Sequence, residues 1–323
     1  MHGFKKKDKV ALIALSVASI LVPILALRYG GRILSLEGLF DPANRLLVLH
    51  LRLPRILADY MVGAGLSVVG MSFQTLVRNP LADPYLFGIS SAAAFGYIVG
   101  SIFFAPVYAY ILSFAMALMS VLFVVFFGIK SEESSSGMVL TGVAISFFFS
   151  SIISIMSVFL SSRFVKNIFL WYLGDTTSLT LNAALISFAF VVLLSLLVMV
   201  DIERFEIYRV GEDLALSSGV DTSMFLLRQY VLGSLITSII VSQCGAIGFV
   251  GLIMPHFVKI VFGESGEYNL ALSFTSGGLF MVIVDTTLKS ILYPMEIPVG
   301  VITALIGSPF LILLLRRVAW RSR

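Results

Sequence analysis

The sequence predicts an all-α polytopic membrane protein, and three observations lead to that fold class. The chain of 323 residues is 59% hydrophobic and 12% charged, and its mean hydropathy of +1.02 is far above that of a soluble globular domain. Four runs contain no Asp, Glu, Lys or Arg: 84–129, 134–162, 176–200 and 229–258. These runs are continuously apolar, without the two-residue alternation of a membrane β-barrel. Helices of about 20 residues therefore satisfy the backbone in the bilayer.

We expect about ten transmembrane helices. The proposed spans are 10–27, 50–77, 86–104, 110–129, 137–161, 180–200, 226–245, 249–263, 270–290 and 297–315. The division within 226–263 depends on residues that could break it into half-helices, namely Gly245, Gly248, Gly251 and Pro255. A short extra helix over 164–173 is expected at the membrane interface, because Trp171 and Tyr172 suit the headgroup level.

The N-terminal segment MHGFKKKDK is basic and precedes an apolar stretch, 10–27, that is too long for a signal peptide. We therefore expect a retained first helix that starts in the cytoplasm. An even number of spans then places both termini in the cytoplasm, and most of the 22 Lys and Arg residues fall on that side. Five arginines break the rule by crowding the first outside loop and the start of the second span: Arg28, Arg32, Arg45, Arg52 and Arg55. Either the topology is inverted or the outer face uses positive charge to bind a partner.

The whole chain, 1–323, is expected to be a single transmembrane domain, because no hydrophilic stretch is long enough to form a second domain. One hydrophilic stretch stands out, 201–221, and within it Glu212 to Ser218 is typical of a short helix that Gly219 ends. This stretch is either an ordinary connecting loop or a cytoplasmic element that docks a partner.

No chemistry-bearing motif points to an enzyme. The chain has no phosphate-binding loop of the G-x-x-x-x-G-K-[ST] type, no Ser-His-Asp arrangement and no paired catalytic carboxylates. The histidines His2, His50 and His256 and the single cysteine, Cys244, lack the spacing of metal ligands. We therefore expect neither a bound metal nor a bound cofactor, and no internal disulfide.

Two acids lie well inside the proposed spans, Asp59 and Asp285. Each has a basic residue four positions away on the same helical face, Arg55 and Lys289, so we expect each acid to pair with that neighbour. Alternatively the two acids bind a coupling ion, and the chain is a stand-alone secondary transporter. If each acid is instead paired with its neighbour, no site for a coupling ion is left, and the chain is a transport pathway without its own energy source.

Five motifs in a fixed order resemble the FecCD-type permeases, the transmembrane subunits of type II ABC importers for iron–siderophore complexes, haem and cobalamin. The first is the run RLPRILADYMVGAGLSVVGMSFQTLVRNPLADPYLFGISSAAAFG, which begins at Arg52. The others are WYLGD at 171–175, GVD at 219–221, GAIGFVGLIMPHFVK at 245–259 and EIPVGVITALIGSPFLILLLRR at 296–317. Several long motifs spread over the chain from residue 8 are a specific signal.

The resemblance implies the type II ABC importer permease fold, with a second copy of the chain completing the pathway. It also implies two separate ATPase subunits that hold ATP and Mg, a substrate-binding protein outside, and a location in the cell membrane among lipids, with no nucleic-acid partner. The implied substrate is a metal chelate, above all iron(III)–siderophore, with haem, cobalamin or an oxyanion as alternatives.

The resemblance further assigns three groups of residues. The binding protein would dock on Arg52, Arg55 and Lys289, where lysine replaces an expected arginine and loses its bidentate fork. The segment 202–221 would couple to the ATPase through Glu212, Asp213, Leu214, Ala215, Leu216, Ser217, Ser218, Gly219, Val220 and Asp221. A candidate cytoplasmic gate, which is alternatively a simple helix connection, comprises Asn79, Pro80, Leu81, Pro84, Gly88 and Ser90.

Overall fold

All regular secondary structure is helical in a computed structural model that describes residues 2–30, 33–104, 106–128, 134–263, 266 and 268–321. The α-helices are α1 (His2–Ala26), α2 (Arg45–Leu47), α3 (Leu53–Leu76), α4 (Ile89–Phe103), α5 (Pro106–Gly128), α6 (Ser134–Phe159), α7 (Ser162–Tyr172), α8 (Leu181–Met199), α9 (Ile202–Val210), α10 (Glu212–Ser217), α11 (Thr222–Cys244), α12 (Val250–Phe262), α13 (Asn269–Ile291) and α14 (Val299–Arg321). One turn of π-helix, Val48–Arg52, leads into α3. Arg32, one of the arginines expected at the outer face, lies outside the described residues.

The predicted fold class is confirmed. Within the described ranges, 7 helices are long and apolar enough to cross a membrane. The shorter apolar helices are Ile89–Phe103, Val250–Phe262 and Val299–Leu313. These two groups together occupy the ten predicted spans. The short extra helix is present as α7, where Trp171 stacks on Tyr97 with ring centroids 4.4 Å apart.

Helix α3 is the centre of the bundle. It is almost entirely buried and packs against α8, α11, α12 and α13. Glycines allow these close approaches, because a Cβ on Gly63 would overlap the carbonyl of Gly277 on α13. A Cβ on Gly70 would likewise overlap the carbonyl of Gly251 on α12. The small residues of α3 therefore set how near its neighbours can come.

The expected break within 226–263 is real and lies between α11 and α12. The chain leaves α11 at Gly245 (φ 70°) and re-enters a helix after Phe249 (φ 69°).

Inside α12, Pro255 has no N–H to donate to the carbonyl of Gly251 four residues earlier. The side-chain amide of Gln74 on α3 approaches that carbonyl instead, at 3.4 Å. Pro255 thus lies within α12 without ending it.

Candidate functional site

The three residues predicted to dock a binding protein come together at one end of the molecule. Arg52 and Arg55 lie at the start of α3, and Lys289 lies near the end of α13. A Cβ on Gly30 would lie 3.3 Å from both Arg52 Nη2 and Lys289 Cε, so these two side chains flank the same point. Arg52 also donates from Nη1 to the Leu27 carbonyl at 2.6 Å. We call Arg55, Asp59, Asp285, Lys289 and Glu296 the α3–α13 charge cluster.

The predicted pairing of each buried acid with its neighbour on the same helix was wrong. Arg55 donates from Nε and Nη2 to the two carboxylate oxygens of Asp285, both at 2.8 Å. Because the start of α3 lies beside the end of α13, the planar guanidinium faces both oxygens at once. Asp285 therefore pairs with Arg55 and not with Lys289. Asp59 lies one turn further along α3 and accepts a hydrogen bond from Thr176 Oγ1 at 2.7 Å.

The ion pair between Arg55 and Asp285 is buried, and one exposed acid, Glu296, lies beside it. The side chains of Arg55 and Asp285 are 10% and 4% exposed, whereas that of Glu296, 3.6 Å from Arg55 Nη1, is 67% exposed. The guanidinium of Arg55 therefore pairs mainly with an acid of its own chain, Asp285.

The segment predicted to couple to an ATPase contains the expected short helix and one that was not expected. α10 spans Glu212–Ser217, and Gly219 follows it with a φ of 82°. α9 precedes it and packs against the end of α3. Arg78, just after α3, lies 3.7 Å from Glu212 and stacks on the Tyr208 ring at 4.7 Å. These contacts connect the segment directly to the central helix.

The buried acid Asp201 holds the predicted coupling segment, 202–221, to the rest of the helix bundle. The side chain of Asp201, between α8 and α9, is only 3% exposed. Its carboxylate accepts from Arg204 at 2.7 Å and from Gln229 on α11 at 2.7 Å, and it pairs with Arg228 at 3.2 Å. Sequence reasoning missed this residue, because its only signal was its position at the end of the charge-free run 176–200.

We predict that Asp201→Asn lowers the free energy of unfolding by about 2 kcal/mol, since it weakens hydrogen bonds to a charged acceptor. The measurement is unfolding of the purified chain in micelles containing increasing dodecyl sulfate. Asp213→Asn is the matched control, because Asp213 is exposed in the same segment, and a change within about 0.5 kcal/mol is expected there. Equal losses in the two variants would contradict the fastening role of Asp201.

The candidate gate residues form the connection between α3 and α4. Asn79 Oδ1 accepts from the Leu81 N–H at 2.9 Å, and Asp83 Oδ1 accepts from the Tyr85 N–H at 2.8 Å at the start of a 3₁₀ turn, Pro84–Phe87. Burial raises the pKa of the Asp83 carboxyl to about 6, although the hydrogen bond from Tyr85 opposes the shift. Pro84 thus begins the 3₁₀ turn, and Pro80 lies four residues beyond the end of α3 at Leu76.

This connection contacts the break between α11 and α12. The Tyr85 hydroxyl accepts from the Ile247 N–H at 3.2 Å. A Cβ on Gly251 would lie 3.1 Å from Pro84 Cδ. Gly88 has a φ of 73°, and a Cβ there would lie 3.0 Å from the Gly142 carbonyl on α6. Ser90, at the start of α4, is partly exposed. The residues predicted as a gate therefore join three helical regions, and their role as a gate stays a prediction.

Comparison with known proteins decides the family. The model of the FecCD transport family matches residues 11–317. The chain belongs to the FecCD transport family. This FecCD-family permease is 33% identical to an uncharacterized ABC transporter permease of Bacillus subtilis, YvrB, over 98% of this chain and 92% of that protein.

Two further comparisons support the assignment of this FecCD-family permease. It is 29% identical to an iron chelatin transport system permease of Helicobacter pylori, over 94% of this chain and 97% of that protein. A solved structure described as an inward-facing metal-chelate type ABC transporter superposes with a TM-score of 0.85 at 28% identity. That match covers 95% of this chain and 98% of the other. The protein is a multi-pass membrane permease of the ABC transporter class, as the motifs predicted.

Proposed function

We propose that this chain is the membrane-spanning subunit of an ATP-driven importer for a metal chelate, with iron(III)–siderophore as the substrate class. The observation that carries the proposal is that the chain matches the FecCD transport family over residues 11–317 and a solved metal-chelate type ABC transporter over 95% of its length. Relatives include a hemin transport permease of Yersinia pestis and an iron(III)–citrate import permease of Bacillus subtilis. Haem, cobalamin and an oxyanion remain the competing substrates.

The proposed assembly contains two copies of this chain, two ATPase subunits that bind ATP and Mg, and an external substrate-binding protein. Its membrane domain is the whole chain, with both termini in the cytoplasm and no cofactor of its own. Large exposed apolar side chains on α6, such as Phe147 and Phe159, suit contact with lipid or with the second copy.

In this assembly α3 connects the two ends of the permease. The contacts of Arg78 with Glu212 and Tyr208 would pass a movement of the coupling segment to the end of α3. At the other end, Arg52, Arg55 and Lys289 would present positive charge to carboxylates of the binding protein. Because Arg55 already pairs with Asp285, its contact with the binding protein would have to compete with that ion pair.

Reconstitution into proteoliposomes tests the proposal. The chain, an ATPase partner and an external binding protein should together take up radiolabelled iron(III)–siderophore only when ATP is supplied. Replacing the phosphate-loop lysine of the ATPase should abolish uptake, because that lysine contacts the phosphates of ATP. Parallel assays with haem, cobalamin and molybdate identify the preferred substrate.

The contradicting outcome is uptake by the chain alone under a proton or sodium gradient. That result would favour the stand-alone secondary transporter.

A further inference from the structure

Asp59 is an acid without the partners that a buried carboxylate requires. Its side chain is fully buried on α3. Oδ1 accepts one hydrogen bond, from the neutral hydroxyl of Thr176 at 2.7 Å, whereas no donor in the described part of the chain reaches Oδ2. An ionised carboxylate that is buried with so little compensation is strongly disfavoured.

Another acid, Asp285, is among the charged groups that act on Asp59. The Asp285 carboxylate lies within hydrogen-bonding reach of Asp59, but both of its oxygens already accept from Arg55 at 2.8 Å. The guanidinium of Arg55 is therefore bonded to Asp285, and the carboxylate of Asp59 lies beside that pair.

The other ionisable groups around this site have no hydrogen bond or ion pair with Asp59 among the contacts that the structure describes. They are Arg52 before α3, Lys289 on α13, Glu296 after it, Asp175 beside Thr176, and Cys244 at the end of α11. Among them, Glu296 lies against Arg55, and Arg52 lies against Leu27.

We propose that Asp59 is a proton-binding site, in which the carboxyl of Asp59 carries a proton from water and donates it from Oδ2 to the Asp285 carboxylate. Adjacent carboxyl groups that share one proton are a known way to hold two acids together. The proton lets Oδ2, which has no donor among the described residues, act as a donor itself. With it, Asp59 adds no second negative charge beside the ion pair of Arg55 and Asp285.

The shared proton would make this junction sensitive to pH. It connects α3 to α13 through Asp285, and α3 to the segment before α8 through Thr176. Removing the proton at alkaline pH would place two negative charges beside one guanidinium and would loosen both connections. The same α3–α13 charge cluster contains predicted docking residues, so alkaline pH would also disturb that surface.

Infrared difference spectroscopy of the purified full-length chain in lipid nanodiscs tests the proposal. The wild type should show the carbonyl band of a protonated carboxylic acid at neutral pH, and Asp59→Asn should lack it. On raising the pH, the band should disappear while the melting temperature of the wild type falls. In Asp59→Asn the melting temperature should stay level, because the amide imitates the neutral acid.

Two further variants keep the test decisive. Glu296→Gln is the matched control, since it removes an exposed acid of the same cluster and should leave both the band and the pH profile unchanged. If Asp59→Asn does not fold, Thr176→Val provides the test, because removing the hydrogen bond to Oδ1 should shift the frequency of the band without abolishing it.

A wild-type spectrum without the band overturns the proposal. Stabilisation that depends on sodium ions also overturns it, because it would indicate a metal cation in place of the proton.

Discussion

Replacing Arg55 with methionine is expected to lower the free energy of unfolding by about 3–5 kcal/mol, the usual cost of removing one partner of a buried ion pair. Methionine keeps much of the apolar stem of arginine but leaves the Asp285 carboxylate, 4% exposed, without its guanidinium. The measurement is unfolding in mixed micelles with increasing dodecyl sulfate. A loss below about 1 kcal/mol, the size expected of an exposed pair, would contradict the burial of this ion pair.

The double variant Arg55→Met with Asp285→Leu separates the structural role of Arg55 from docking. Because apolar residues can replace a buried ion pair at little cost, the double variant should regain most of the lost stability. If Arg55 also contacts the binding protein, affinity for that protein should stay low in the double variant although the fold is restored. Recovery of both would assign Arg55 a structural role alone.

Replacing Gly70 with alanine is expected to cost about 3 kcal/mol, the upper end of the usual penalty for overpacking. The added methyl group would overlap the carbonyl of Gly251, so α12 would have to move away from α3. The hydrogen bond from Gln74 to the same carbonyl would be lost with that movement. Unfolding in mixed micelles and the yield of folded chain in the membrane measure the effect.

Gly211→Ala is the matched control for this substitution. A Cβ on Gly211 meets nothing within 4 Å, and its backbone is extended. The change should therefore stay within about 0.5 kcal/mol. An equal loss in the two variants would show that the close approach of α3 to α12 does not limit stability.

Sequence reasoning placed the long helices well and the irregular ones less well. The charge-free runs and Gly245 located the ends of α11 and α12, because glycine allows a backbone conformation that other residues avoid. Helix α9 was not anticipated, since Ile202–Val210 is short and four of its nine residues are charged. Its helical form depends on packing against the end of α3 and on the contacts of Asp201.

The sequence by itself determined the class and the family of this protein. A bilayer offers the backbone no hydrogen-bonding partners, so long apolar runs must form helices whatever their neighbours are. The ordered motifs, from Arg52 to residue 317, then indicated the FecCD family, and comparison confirmed it.

Only the tertiary structure decided which charged groups meet. Helical periodicity indicates which residues share a face, such as Arg55 and Asp59, but not which helix packs against that face. The partner of Arg55 is Asp285, 230 positions away, and the partners of Asp201 include Gln229 on another helix. Burial also decides how these groups behave, because a carboxylate enclosed among helices, like Asp59, must find a donor, a cation or a proton.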